Sequence, residues 1–266
     1  MNQVSLLPGG VIAQGFRGPG GAPPDVLRGQ IYRFTKASRR RLRHKIMQID
    51  WDLYHPSYAV HTYHKRWGDP WMWKADRKAL DKRLFRAFPD SLEGIVWRLE
   101  FQRRSAPHFN LILLWKKHRR PQNQALQVWL TRAWSQIIGT ENDQAALLHG
   151  VKVRPVDHAP PELGRTLGYL VNDMTKLSQD VRVDQTTGEL LPTGRMWGIV
   201  GGVPLVAAIL ARLSPEAWAA FIARVNDRGD HVGSWYLSAI SLQWPGFTIM
   251  GSMLEIAPLF YDPPHT

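Results

Sequence analysis

Polar and apolar residues alternate strictly in two neighbouring stretches of the chain. Ile95–Gln102 (IVWRLEFQ) sets Trp97, Leu99 and Phe101 against Arg98, Glu100 and Gln102, the period-two signature of a strand with two unlike faces. His108–Trp115 (HFNLILLW) repeats the pattern, with His108 and Asn110 on one side and Phe109, Leu111 and Leu113 on the other. The link Arg103–Pro107 is short, so a hairpin is predicted. Pairing symmetric about that link places Gln102 opposite His108 and Glu100 opposite Asn110. Cross-strand neighbours on one face lie about 4.5–5.5 Å apart at Cβ. Glu100, Gln102, His108 and Asn110 are therefore expected in one polar patch. Tyr58–Tyr63 and Val151–Pro155 read as further strands.

Elsewhere the apolar positions recur at helical spacing. Thr35–Ile49 is predicted to be a helix with a basic face, Thr35 or Ser38 serving as N-cap. Trp73–Phe88 carries Trp73, Leu80, Leu84 and Phe88 among many charges and is stopped by Pro89, as expected of a surface helix. Leu126–Ile138 is anchored by Val128, Trp129, Ala133 and Ile137. In Pro161–Leu177, Leu163, Leu167, Leu170, Met174 and Leu177 form one stripe, while Tyr169, Asp173 and Lys176 share a flank at i, i+4 and i+7. An Ala/Leu-rich helix is expected from Pro204 and another from Ser214, with Pro215 at its first position. Leu237–Gln243 and Phe247–Met253 suggest a final hairpin around Pro245-Gly246. Strands and helices mix without a βαβ rhythm, which predicts an α+β fold: an antiparallel sheet flanked by helices.

Residues 8–24 hold six Gly and four Pro, so residues 1–27 are expected to be a flexible Gly/Pro-rich tail. Residues 28–205 then form the main domain, and 206–266 an appendage of helices and a hairpin. With 266 residues, of which 44% are hydrophobic, the chain can build a real core. It has no Cys, which removes disulfide scaffolds, Cys-zinc sites and thiol nucleophiles. No apolar run reaches the ~20 residues of a membrane span, and the first residues do not read as a signal peptide. The expectation is a cytoplasmic protein with no membrane partner.

Charge is concentrated. Arg28–Arg132 contains 24 Lys and Arg against 8 Asp and Glu, a balance of +16 in a chain whose total is +12. Such a field attracts polyanions through phosphate neutralisation and counterion release. Its clusters are Arg39, Arg40, Arg41 and Arg43; Lys65 and Arg66; Arg103 and Arg104; and Lys116 and Lys117. Trp67, Trp71 and Trp73 interleave with part of this set, a combination that suits single-stranded DNA; a solvated basic face with core tryptophans is the simpler alternative. One imidazole, one carboxylate and two amides in the hairpin patch suit a hard divalent ion, Mg²⁺ or Mn²⁺. A merely polar sheet face explains them as well. Tyr169 offers a hydroxyl nucleophile beside Asp173 and Lys176, or a tyrosine packed against a sheet. Nothing calls for an organic cofactor.

At these positions the chain resembles the rolling-circle replication initiators, the Rep branch of the HUH endonucleases. Trp97–Leu114 (WRLEFQRRSAPHFNLILL) resembles that family's metal-motif hairpin, E-F-Q-x-R-G-A-P-H-x-H. Tyr169–Lys176 (YLVNDMTK) resembles its tyrosine helix, Y-x-x-K-Y-x-x-K, and Gly194–Gly198 (GRMWG) a following Gly-Arg-Phe-Trp-Gly element. The likeness spans roughly residues 30–205. It implies a HUH/Rep-like antiparallel sheet with a divalent ion on its central strands, held by Glu100, His108 and Asn110 with Gln102 in reserve. It also implies a tyrosine that nicks one DNA strand and retains the 5′ end as a phosphotyrosine ester. Two departures stand out. Asn110 replaces the second histidine, and Asp173 occupies the usual tyrosine position; Tyr169 lies one turn earlier, about 6 Å along the axis. A degenerate member is expected, one that binds single-stranded or hairpin DNA and is impaired in nicking. The alternative is an active metal-dependent nickase and strand transferase working through Tyr169. Residues 206–266 leave room for a protein partner.

Overall fold

The structure is a computed structural model that describes residues 2–7, 10–14, 29–64, 67–156, 170–176, 179–207, 209–214, 216–217, 219–220, 223, 236–238 and 246–250. In chain order the elements are β1 (Asn2–Leu7), β2 (Gly10–Gln14), α1 (Lys36–Met47), β3 (Tyr54–Thr62), α2 (Pro70–Ala87), β4 (Leu92–Phe101), β5 (Pro107–Lys116), α3 (Asn123–Ile138), α4 (Gln144–His149) and β6 (Val151–Pro155). These are followed by β7 (Arg182–Val183), β8 (Leu190–Leu191), β9 (Trp197–Gly201), β10 (Ile209–Leu213), β11 (Tyr236–Ser238) and β12 (Gly246–Met250). Residues 170–175 are helical as well. The class is α+β, with a five-stranded antiparallel sheet flanked by helices. No described helix is long and apolar enough to cross a membrane.

Local chemistry sets the helix ends. The Thr35 hydroxyl accepts from the Ser38 amide at 3.1 Å and starts α1, relieving one of the unbonded amides of a first turn. Pro70 opens α2, where its missing N–H costs nothing, and Pro89 follows the end. Gly139 closes α3 in the left-handed conformation at φ 67°. Asp143 caps α4 through the amides of Ala145 and Ala146.

The central sheet runs β6-β3-β5-β4-β9. β5 lies in its middle and reads Phe109, Leu111, Ile112, Leu113, Leu114 and Trp115, all buried, as a strand covered on both faces must. On one face α2 and α3 pack through Trp73 against Phe101, Trp134 against His61, and the Arg77 guanidinium over the Trp97 ring. The opposite face lies against α1 and the 170–175 helix. There Trp197 Nε1 donates to Ser38 Oγ at 3.0 Å and the Arg98 guanidinium lies over the Phe34 ring.

The β4–β5 hairpin forms, with a register two residues away from the symmetric expectation: Glu100 faces His108, and Arg98 faces Asn110. The cause is the turn. Gln102 and Ala106 close a three-residue loop, Gln102 N donating to Ala106 O at 3.0 Å, and its last residue, Ser105, is left-handed at φ 59°. A type I turn followed by a left-handed residue is a standard three-residue hairpin. Ser105 Oγ is held there by Val183 O and Gln185 Nε2 at 2.6 and 2.8 Å. A slip of two, unlike a slip of one, keeps every side chain on its expected face.

A second sheet, in the order β10-β1-β2-β12-β11, departs further from expectation. The segment expected as a flexible tail supplies β1 and β2, paired antiparallel with β10 and β12, and Leu7 joins the core. Residues 209–213, expected in a helix from Pro204, form strand β10. The final hairpin pairs Tyr236 with Met250 and Ser238 with Thr248, and Gly246 falls inside its second strand. The Ser214 cap is present, its hydroxyl accepting from the Ala217 amide at 3.2 Å.

Candidate functional site

The face beneath α1 carries the predicted patch. Register places Tyr58, Val60 and Thr62 of β3 beside Ile112, Asn110 and His108 of β5, with Arg98 and Glu100 of β4 on the far side. Glu100, Arg98 and Asn110 are buried, and His108 is partly exposed. Gln102 lies past the end of β4 rather than opposite His108; its Oε1 accepts from Arg104 Nε at 3.1 Å.

The 170–175 helix closes over Glu100. Lys176 Nζ lies 3.2 Å from Glu100 Oε2 and 2.7 Å from Asp173 Oδ1. Arg98 Nη1 lies 2.9 Å from Glu100 Oε1 and donates to the Asp173 carbonyl at 3.0 Å. The Tyr58 hydroxyl donates to Asp173 Oδ2. Two carboxylates and two cations thus balance within one cluster. Arg98 and Tyr58 complete it; the sequence placed Arg98 on the correct face without a partner, and no pattern marked Tyr58.

Burial pushes the Glu100 carboxyl up, and the charges of Arg98 and Lys176 offset this only in part. Burial raises Asp173 too, but hydrogen bonds from Lys176 and Tyr58 outweigh it and hold the acid below its ordinary range. Burial alone would lower Lys176; its contacts with Asp173 and Glu100 raise it instead. Burial, with Lys176 nearby, lowers His108 to about 4. His108 is therefore neutral at pH 7, its Nδ1 sharing a hydrogen bond with Thr62 Oγ1 at 2.9 Å.

A divalent ion between Glu100 and His108 does not fit these donors as they stand. Both Glu100 oxygens face cations within 3.2 Å, and Asn110 contributes at most one neutral oxygen. Among the described residues no three His, Cys, Asp or Glu side chains come together as a metal-ligand group. An ion at Glu100 would have to displace Lys176. Tyr169 lies outside the described residues, and Asp173, at the position where the resembling family carries its tyrosine, is engaged on both oxygens.

The predicted basic residues divide. Arg40, Arg41, Arg103, Lys116 and Lys117 are exposed and Arg39 is half-buried. Arg43 instead points inward, 6% exposed, and its Nη2 donates to Thr175 Oγ1 at 3.5 Å. Arg104 is exposed, yet its guanidinium bonds the carbonyls of Tyr63 and His64 and lies 5.2 Å from the Trp67 ring centre. It braces the turn. Lys116 pairs with Glu93 at 3.4 Å and sits at the far end of β5 from His108, about 27 Å away at ~3.4 Å per residue. Lys65 and Arg66 lie outside the described residues.

On the opposite face, His61 is fully buried, with neither ring nitrogen bonded among the described residues. Its ring meets Trp134 edge-on at 5.3 Å. No periodicity singled it out, because one His in an apolar strand leaves no pattern.

No protein-family model, curated protein or solved structure matches this chain.

Proposed function

We propose that the protein binds single-stranded or hairpin DNA as a Rep-like protein impaired in strand nicking. The observation that carries this reading is the position of Lys176, whose ammonium bridges Glu100 and Asp173 at 3.2 and 2.7 Å. A nickase of the resembling kind needs an acidic ligand open to a metal and a nucleophile at the helix position held by Asp173. Here the acid is neutralised by protein cations, and the helix position is a carboxylate already bonded by Tyr58 and Lys176. DNA affinity then comes from exposed cations outside the cluster. Arg40 and Arg41 on α1 and Arg103 on the hairpin turn supply phosphate contacts, which give affinity without cleavage.

Labelled oligonucleotides with hairpins, incubated with the protein and Mn²⁺ and run on denaturing gels, test this. Retention on native gels with no covalent adduct and no cut strand is expected. Binding should weaken steeply with salt, since each neutralised phosphate of a single strand contributes a slope of about −0.7 in log K against log salt. An adduct that Tyr169→Phe abolishes overturns the impaired-nicking reading. A strong preference for RNA of matched sequence overturns the DNA reading.

A further inference from the structure

The face of the molecule opposite the Glu100 cluster carries a second basic surface. On α2, Lys78, Lys82 and Arg86 are all exposed and recur at i, i+4 and i+8, so they form one stripe with steps of about 6 Å. Arg83 leans from α2 towards α3, its Nη1 donating to Gln136 Oε1 at 2.8 Å. Arg132 on α3 is exposed beside it. Among the described residues none of these five cations has an ion-pair partner. Four acids lie nearby: Asp81 is buried against Arg77, Glu93 pairs with Lys116 at 3.4 Å, Asp90 is exposed four residues after Arg86, and Glu141 lines a hollow together with Arg132.

Trp129 stands in the middle of this surface. With Arg132 it forms a ridge between two open hollows of about 350 and 500 Å³, one bounded by Arg83 and Arg86, the other by Gln122 and Gln124. Phe88 supports its ring edge-on at 5.2 Å. At the C-terminal end of α2 the surface continues into the Lys116–Arg120 turn, tied down where Arg119 Nη1 donates to Asp90 O at 3.3 Å. The result is a cationic path with a half-buried indole, packed on one side against the core, partway along it.

We infer that this α2–α3 groove is a second binding site for single-stranded DNA, with a base stacked on Trp129 and phosphates on Arg86, Arg132 and the α2 lysines. The site rests on the nucleic-acid reading for its class of ligand but uses none of the residues of α1 or the Glu100 face. Single-stranded rather than duplex DNA is the occupant because an indole flanked by hollows rewards an unstacked base. Phosphate cations alone would hold either form.

The test compares full-length wild type with two double variants, Arg86→Gln/Arg132→Gln and Arg40→Gln/Arg41→Gln, by fluorescence anisotropy on oligo-dT about 30 nucleotides long. All four positions are at the surface, and melting curves check that the fold is kept. The α2–α3 double variant is expected to bind about tenfold more weakly, with a salt slope shallower by about 1.4, two phosphates at 0.7 each. Ultraviolet cross-linking should also mark the peptide containing Trp129. Unchanged affinity and slope with no such cross-link, while the α1 variant is weakened, overturns this site and leaves the α1 surface in place. Weakening of the α2–α3 variant alone supports this site and overturns the α1 surface. Displacement by polyglutamate as readily as by unlabelled oligo-dT overturns base stacking and identifies an acidic-protein surface. Wild type that binds no oligo-dT overturns both.

Discussion

Replacing His61 with Leu should make the protein markedly less sensitive to mild acid. His61 is wholly enclosed, its nitrogens unbonded among the described residues, and burial, with His108 nearby, lowers its pKa from 6.5 to about 3. Between those values the unfolded chain takes up the proton and the folded one does not, so stability rises with pH across the window and is lost as pH falls through it. At 1.36 kcal/mol per pKa unit, going from pH 7 to pH 5 removes about 2 kcal/mol through His61 alone. That is a large part of a margin of roughly 5–15 kcal/mol. The His61→Leu variant lacks this loss. His108, which also titrates well below neutrality, remains in both proteins and cancels to first order. Urea unfolding followed by far-ultraviolet circular dichroism at pH 7 and pH 5 measures the difference. Wild type should lose about 2 kcal/mol more than the variant between the two pH values. Equal losses would refute the claim that His61 is held neutral by burial.

Other substitutions separate structural from binding roles. Arg43→Met should lower stability by about 1–3 kcal/mol, because its buried guanidinium bonds Thr175. The folded variant should keep its DNA affinity, whereas Arg40→Gln/Arg41→Gln should weaken DNA binding with an unchanged melting temperature. Lys176→Met leaves Glu100 with Arg98 alone and Asp173 with Tyr58; a loss of about 1–3 kcal/mol is expected, moderated because the lysine is 33% exposed. Denaturant titration of the single variant and of Lys176→Met/Glu100→Gln checks this, the second change recovering part of the loss. Gly201→Ala should cost at least about 2 kcal/mol, since Gly201 has φ +100° and an added Cβ would lie 2.3 Å from the Glu93 carbonyl. A melting curve like that of wild type would contradict that geometry.

Much of the central sheet could be read from residue order, because its signals are local. Alternation gave β4 and β5, helical spacing gave α1, α2 and α3, and Thr35 and Pro89 marked helix ends through backbone chemistry that acts over one turn. Face assignment also survived, since the hairpin register slipped by two residues and not by one. What local pattern could not supply was anything that depends on a distant segment. The exact pairing followed from Ser105 adopting a left-handed conformation, held by Val183 and Gln185 some 80 positions away. β1 and β2 find their partners at the other end of the chain, so a Gly- and Pro-rich opening gave no hint of a sheet. The same holds for charge. A sequence shows that Arg98, Glu100, Asp173 and Lys176 are ionisable. Only the packing of one helix against three strands decides that they neutralise one another, while Arg40, Arg86 and Arg132 stay exposed to water.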